Sequence, residues 1–405
     1  MEETLDSIER AQKFFLGSLS AIAVLGVVMV YSSSYIYARD IYQDSAHYFY
    51  KQLAFIGASI PICFIISKTK VSFWLKYGWF FHVAATLLLI GTFIPGLGNE
   101  VKGANRWLFI SGFGFQPGEL IKYTSLLVSV PFFENFFNLE KRERIAHGFF
   151  LSLPLLALLL QPDFGSFSIC FGLIAVVCFL SSFPRKIFYM SLGIGIVGIV
   201  PILISQPYRV ARLFSYLDPW KNPQTSGFQI IQSYLAFANG SIFGTGLGNS
   251  NEKLFYLPEA HNDFIFSVIG EELGFLGVCL VVLLFLSLIF FGFRLVTQLE
   301  NKLSTILGTS IIFSIGLQAT LNMGVVLGLL PTKGLNLPFI SAGGSSLVAN
   351  FIAIGLFLST VTERKKTLRT IINANGFNSY SQSDSYSTSS NFNNETSELN
   401  QGELF

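Results

Sequence analysis

The chain has 405 residues, of which 51% are hydrophobic and only 12% charged, with a formal net charge of +2. That balance excludes an ordinary soluble domain, and so small a net charge excludes the basic surface of a nucleic-acid binder; no nucleic-acid partner is expected. Uncharged apolar runs recur that are long enough to cross a hydrocarbon core of ~30 Å, so the sequence predicts an integral membrane protein.

In chain order, residues 1–13 form a short polar N-terminus. Runs without Asp, Glu, Lys or Arg then cover 14–38, 52–67 and 77–99, and later 164–184, 187–208, 273–293, 303–332 and 334–362. Two shorter spans near 122–137 and 145–161 carry charges and prolines. The expectation is an all-α, polytopic bundle of about ten transmembrane helices, with one large extracytoplasmic loop over 206–263. The first run is too long for a signal-peptide core and lacks a small-residue cleavage site, so it reads as a retained helix. Within the long loop, 228–237 has the loose amphipathic pattern of a helix lying on the membrane surface. The membrane domain is expected to end at 362, with 363–405 as a disordered Asn/Ser-rich cytoplasmic tail.

An even number of spans puts both termini on one side. Lys and Arg at the N-terminus, at 68–76, 141–144, 185–186, 294–302 and 364–369 mark that side as cytoplasmic. Cys63, Cys170, Cys178 and Cys279 all fall inside spans without metal-ligand spacing and read as small packing residues. Gly193, Gly195 and Gly198 match the spacing of a dinucleotide turn, but no strand precedes them; close helix packing is the reading they support.

The opposite, outer face holds the chemistry. Tyr256-Leu-Pro-Glu-Ala-His-Asn-Asp263 sets Glu259, His261 and Asp263 against the start of an apolar span. Taken alone, Asp263 reads equally as a helix cap and His261 as a hydrogen-bonded loop histidine. Lys102-Gly-Ala-Asn-Arg-Trp107 supplies Lys102 and Arg106, two cations able to neutralise a phosphate-bearing ligand or to snorkel, and an aromatic suited to the headgroup layer. Glu119 and Lys122 are three apart, so on a helix beginning after Pro117 they share a face and can pair; their charge turns them to the interior or to a wet cavity. Asp163, in Gln161-Pro-Asp-Phe-Gly-Ser166, is either the cap of the next helix or part of the site. Gly244, Gly246 and Gly248 read as tight turns or as a close approach to a ligand. Irregular backbone at Pro338-Phe-Ile-Ser-Ala-Gly-Gly-Ser-Ser346 is tolerated at membrane depth only where protein or water surrounds it, so this segment should line the interior.

Taken together, residues 212–220, 161–165, 257–274 and 328–346 resemble the SEDS family (shape, elongation, division and sporulation) of bacterial peptidoglycan glycosyltransferases, over about 14–364. Leu330-Pro-Thr-Lys-Gly-Leu-Asn-Leu-Pro338 and Tyr31-Ser-Ser-Ser34 look more like the division member than the elongation member. Asn105, Gly118, Asn262 and Ala342 depart from common family residues without removing the acid or the main cations. The resemblance implies polymerisation of lipid II, with release of undecaprenyl pyrophosphate, at the outer face of the bacterial cytoplasmic membrane. It implies Asp263 as the essential acid, acting as general base or as ligand to a divalent cation, magnesium or manganese. Substrate-binding roles fall to Lys102, Arg106, Glu119, Lys122, Asp163, Glu259 and His261. The implied partners are a class B penicillin-binding transpeptidase and other septal division proteins. Two other classes remain: a flippase of lipid-linked precursor, which would favour midplane charges and an inverted repeat, and a division scaffold, which would leave Asp263 idle.

Overall fold

A 41-residue helix, α1 (Glu2–Tyr42), opens the bundle, and its buried face from Ile8 through Met29 to Ala38 packs on its neighbours. The computed structural model describes residues 1–101, 104–110, 113–204, 216–225, 227–250, 260–331 and 334–398. The helices that follow are α2 (His47–Lys68), α3 (Val71–Gly91), α4 (Pro117–Glu134), α5 (Lys141–Leu160), α6 (Phe164–Leu180) and α7 (Arg185–Ile204). After the long loop, which contains α8 (Phe228–Gly240), come α9 (Ile265–Val296), α10 (Lys302–Val326) and α11 (Gly344–Glu398). Every expected span has a helix, and seven of them, α1, α2, α3, α5, α9, α10 and α11, are long and apolar enough to cross a membrane. The protein is a multi-pass, all-α membrane protein.

Burial follows position in the bundle. In α10 and α11 most of the apolar window is buried inside the protein, whereas α2, α3 and α5 leave most of theirs outward, where lipid would cover it. α10 and α11 therefore form the centre, with α2 and α1 packed on one side and α4 and α6 on the other. Cys63, Cys170 and Cys178 are buried and all four cysteines are free, in keeping with a packing role.

Several expected boundaries move. The stretch read as an outer loop around Lys102 to Trp107 is a three-stranded antiparallel sheet, β1 (Gly98–Val101), β2 (Ala104–Ile110) and β3 (Phe113–Phe115), in the order β1-β2-β3. Asn99 pairs with Trp107, and Leu108 with Phe115. The aromatic and β-branched run Trp107-Leu-Phe-Ile110 has the composition of a strand, and Leu108 anchors it by lying against Gly91 of α3. α9 begins at Ile265, eight residues before the expected start, because Glu271 and Glu272 lie buried inside it. α8 forms where a surface helix is expected, but it docks on the protein: Ile230, Ile231 and Ala236 are buried, and the Ser233 hydroxyl donates to Val326 O at 2.6 Å. Of the three glycines in α7, only Gly195 lies close to a neighbour, the Phe171 ring; Gly193 and Gly198 face open space. At the C-terminal end the backbone of α11 is helical to Glu398, where the sequence reading places an unstructured tail; Leu368 is its last buried residue among those whose side chains are described.

Candidate active site

Residues 260–264 form the turn before α9, and the irregular segment 334–343 straps across it. Two hydrogen bonds tie the two directly, Ala342 N donating to His261 O (3.0 Å) and the Ser341 hydroxyl to Asn262 O (2.7 Å), and Asn322 Nδ2 of α10 bridges them by donating both to Asp263 O (2.8 Å) and to Leu335 O (2.5 Å). The strap is itself closed by Leu337 N donating to the Ser341 hydroxyl at 2.8 Å. Leu337, Phe339 and Ile340 are fully buried, as the argument from irregular backbone at membrane depth requires.

Asp263 is half-buried beside Gly334, where an added Cβ would stand 3.0 Å from its Oδ2. The N-cap of α9 is Phe264, whose own side chain makes no capping hydrogen bond. His261 is buried against Tyr48 and Tyr37, with ring centroids 4.6 and 5.3 Å away. With Asn262 it lines an open cavity of about 160 Å³ whose other walls include Tyr48, Lys51, Gln52, Trp107 and Gly343. Aromatic faces, two amides and a cation around this space supply the stacking surfaces and hydrogen-bonding groups that suit a sugar ring beside an anion. Lys102 and Glu259 lie outside the described residues.

Arg106 projects from β2 to the α5–α6 turn, where Nη2 donates to Pro162 O at 2.8 Å. Its Nε is buried with no hydrogen-bond partner among the described residues, so one donor is left for a ligand or water. The same turn is pinned from behind, since Gln161 Nε2 donates to Leu89 O (3.2 Å) and to the Thr92 hydroxyl. Asp163 is 5% exposed and is the N-cap of α6, accepting from Ser166 N at 3.2 Å and from its hydroxyl at 2.8 Å. The structure thus gives Asp163 the capping role.

Glu119 and Lys122 do pair, at 2.7 Å, but Lys122 is only 1% exposed. Its ammonium also donates to Gln318 Oε1 (2.9 Å), and Gln318 Nε2 in turn donates to Asn336 O (3.0 Å). The pair therefore reaches the strap through Gln318 instead of offering its charge to a surface ligand. Lys122 has both Glu119 and Gln318 as partners, whereas Glu119 relies on Lys122, so removing the lysine would strand the carboxylate.

Sequence reasoning missed Gln318 and Asn322, although two amides four apart in an otherwise apolar span share one helix face and were the available signal. It also missed a second buried cluster. Glu271 and Glu272 are essentially inaccessible. The Ser250 hydroxyl donates to Glu271, and Asn239 Nδ2 lies 3.4 Å from its Oε1. The Ser32 hydroxyl of α1 donates to Glu272 Oε2 at 2.5 Å. Gly244, Gly246 and Gly248 all have positive φ, and amides of this stretch bind the protein itself: Thr245 N donates to Glu271 O (2.9 Å) and Gly246 N to Glu272 O (3.0 Å). That is the tight-turn reading, with the turn serving as a seal over α9. Among the described residues no group of three or more His, Cys, Asp or Glu converges as a metal cage.

A protein-family model described as "Cell cycle protein" (FTSW_RODA_SPOVE) matches residues 12–366. The chain is 38% identical over 368 residues to the probable peptidoglycan glycosyltransferase FtsW of Geobacter sulfurreducens, covering 88% of this chain and 97% of that protein. It is 37% identical over 347 residues to stage V sporulation protein E of Bacillus subtilis, covering 84% and 93%. Its fold is similar to a chain from a solved structure of a peptidoglycan synthase complex, at a TM-score of 0.68 and 28% identity, with 86% and 97% covered.

Proposed function

Since the chain belongs to the FtsW/RodA/SpoVE family of cell cycle proteins, we propose that it is a peptidoglycan glycosyltransferase that polymerises lipid II into glycan strands at the outer face of the cytoplasmic membrane. The observation that carries the reading is the strapped turn: Asn322 of α10 holds the backbone of Asp263, and the two residues before it, His261 and Asn262, are bonded to the 334–343 segment and line the cavity of about 160 Å³. In the reaction, a sugar hydroxyl of one lipid-linked disaccharide attacks the anomeric carbon of the growing glycan. The new glycosidic bond forms as the bond to pyrophosphate breaks, and undecaprenyl pyrophosphate leaves.

Asp263 takes the hydroxyl proton as general base. A free Asp has pKa ~3.9, so this role relies on placement within a partly dry site more than on basicity. A positioned base contributes ~10²- to 10⁴-fold. The open Nε–H of Arg106, together with Lys102, meets the charge growing on the leaving pyrophosphate. The alternative to base catalysis is that Asp263 would hold a divalent cation, because magnesium is commonly held by one or two carboxylates plus substrate phosphates, and the cation would supply neutralisation of the pyrophosphate. Glu119 and Lys122 act one step back, through Gln318 and the strap.

The division role, the septal location, the cytoplasmic placement of both termini and a class B penicillin-binding transpeptidase partner belong to the same proposal. The likeness to a synthase complex supports the partner. Relatives with division and sporulation names are nearly equally similar, so the site of action needs its own experiment: a fluorescent fusion at the septum supports division, and one spread along the side wall overturns it. For the reaction, purified full-length protein with its transpeptidase is given lipid II, and glycan polymer is resolved on gels. Asp263→Asn is expected to lose at least about 100-fold in rate. Polymerisation at the wild-type rate in a folded Asp263→Asn preparation would refute the assignment.

A further inference from the structure

Far from the strapped turn, at the opposite end of α2, α3 and α11, lies a second open groove of about 360 Å³, within the ~300 to 1,000 Å³ usual for small-ligand sites. Lys68, Lys70 and Lys366 line it, together with Glu363. From this groove we propose a binding site for the headgroup of an anionic phospholipid.

Along the same end of α11, Arg364 pairs with Glu300 (2.6 Å), while Lys365 and Arg369 both pair with Glu9 (3.2 and 2.8 Å). By contrast, Lys68, Lys70 and Lys366 have no ion-pair partner among the described residues. The lone acid of the groove is already engaged: Glu363 Oε2 accepts from Val71 N at 3.2 Å, so it satisfies the first amide of α3. Three cations against one committed carboxylate leave a net positive cleft. The threonine hydroxyls do not compete as donors, because Thr367 and Thr370 donate to carbonyls of their own helix.

What makes the anion a lipid is the surroundings. The α2–α3 turn sits at the end of two lipid-facing helices, and Phe64 and Ile65 of α2 and Phe73 of α3 are exposed within about one to one and a half turns of the lysines. Lys68 Nζ lies 5.1 Å from the centroid of the Phe64 ring, with its stem along that apolar surface. Trp74 Nε1 donates to the Thr69 hydroxyl at 2.6 Å, the wet-and-apolar setting that holds tryptophan at headgroup depth. A ligand here meets ammonium groups at one end and hydrocarbon at the other. A basic pocket between helices at the membrane edge is the general form of a headgroup site.

The test uses full-length protein in neutral detergent, with lipid retention read by native mass spectrometry at low salt. Phosphatidylglycerol is expected to remain bound at concentrations where phosphatidylcholine does not. At about fivefold per lysine, the triple variant Lys68→Gln/Lys70→Gln/Lys366→Gln should weaken that retention on the order of 100-fold. The single Lys366→Gln, at an exposed position, should weaken it about fivefold and serves if the triple variant fails to fold. Lys141→Gln/Arg142→Gln, exposed elsewhere, should leave it unchanged. Equal retention of the two lipids, wild-type retention in the lysine variants, or equal loss in the control pair would overturn the site. Displacement by equimolar glycerol 3-phosphate or by a poly-glutamate peptide would overturn its assignment to lipid.

Discussion

Lys122 decides more than its own position, because its ammonium joins Glu119 on α4 to Gln318 on α10 and through that amide to the strap. Lys122→Met leaves a buried carboxylate without its counter-charge and is expected to cost about 3 to 5 kcal/mol, read as a fall in the unfolding midpoint in detergent. The double variant Glu119→Gln/Lys122→Met removes both charges and should recover most of that stability. If the pair positions the strap, polymerisation stays low in the double variant even though the fold returns; recovery of both together would make the pair purely structural. At this scale the sequence was readable where spacing is local. Three-residue spacing allowed the Glu119–Lys122 pair, and Asp163 before an apolar run offered a cap as one of its two readings. It was not readable where partners are distant: Gln318 lies 196 residues from Lys122 along the chain, and no spacing rule links them.

Helix α9 carries a break at Gly274, whose φ of 66° and ψ of −165° are open to glycine and costly for other residues. A Cβ there would stand 2.3 Å from Gly244 N and 2.5 Å from Ile242 O, backbone atoms that cannot yield cheaply. Gly274→Ala should therefore cost at least about 2 to 3 kcal/mol. Gly57→Ala, inside α2 with nothing within 4 Å of the new methyl, should be neutral or gain up to about 1 kcal/mol. Thermal midpoints of the two variants side by side check the contrast; equal effects would mean that the junction of the glycine turn with α9 is loosely packed. The same helix marks where reading by hydropathy stops working. By hydropathy a charge ends a span, yet Glu271 and Glu272 sit inside α9 because Ser250, Asn239 and Ser32 hydrogen-bond them. Likewise, a loop was expected at β2 because helical hydropathy is blind to a short strand that hangs on one buried leucine.

Over the whole molecule, the first and last helices meet: Glu9 of α1 binds Lys365 and Arg369 of α11, and Lys365 also reaches Gln12 at 3.2 Å. A membrane-impermeant maleimide should accordingly label Glu3→Cys and Thr370→Cys from one side and Asn249→Cys from the other. Labelling of the first two from different sides would break the even count of spans. The clasp lies at the surface, with Glu9 and Lys365 partly exposed and Arg369 exposed, so Glu9→Gln should change stability by less than about 1 kcal/mol. The broad architecture was legible because lipid imposes long apolar runs, and each expected span has a helix, although among the described residues only seven are long and apolar enough to cross a membrane. The order of packing was not, since nothing in an apolar run says which face meets protein and which meets lipid. The interruption at Gly274 has one mechanical corollary. Asp263 has no unbroken helical rod rising to it from the membrane interior, so its stiffness comes laterally, through the Asn322 amide and the backbone of the strap. It is braced like a shelf on a wall bracket, and loosening the bracket would blur the aim of the acid while the column beneath stood unchanged.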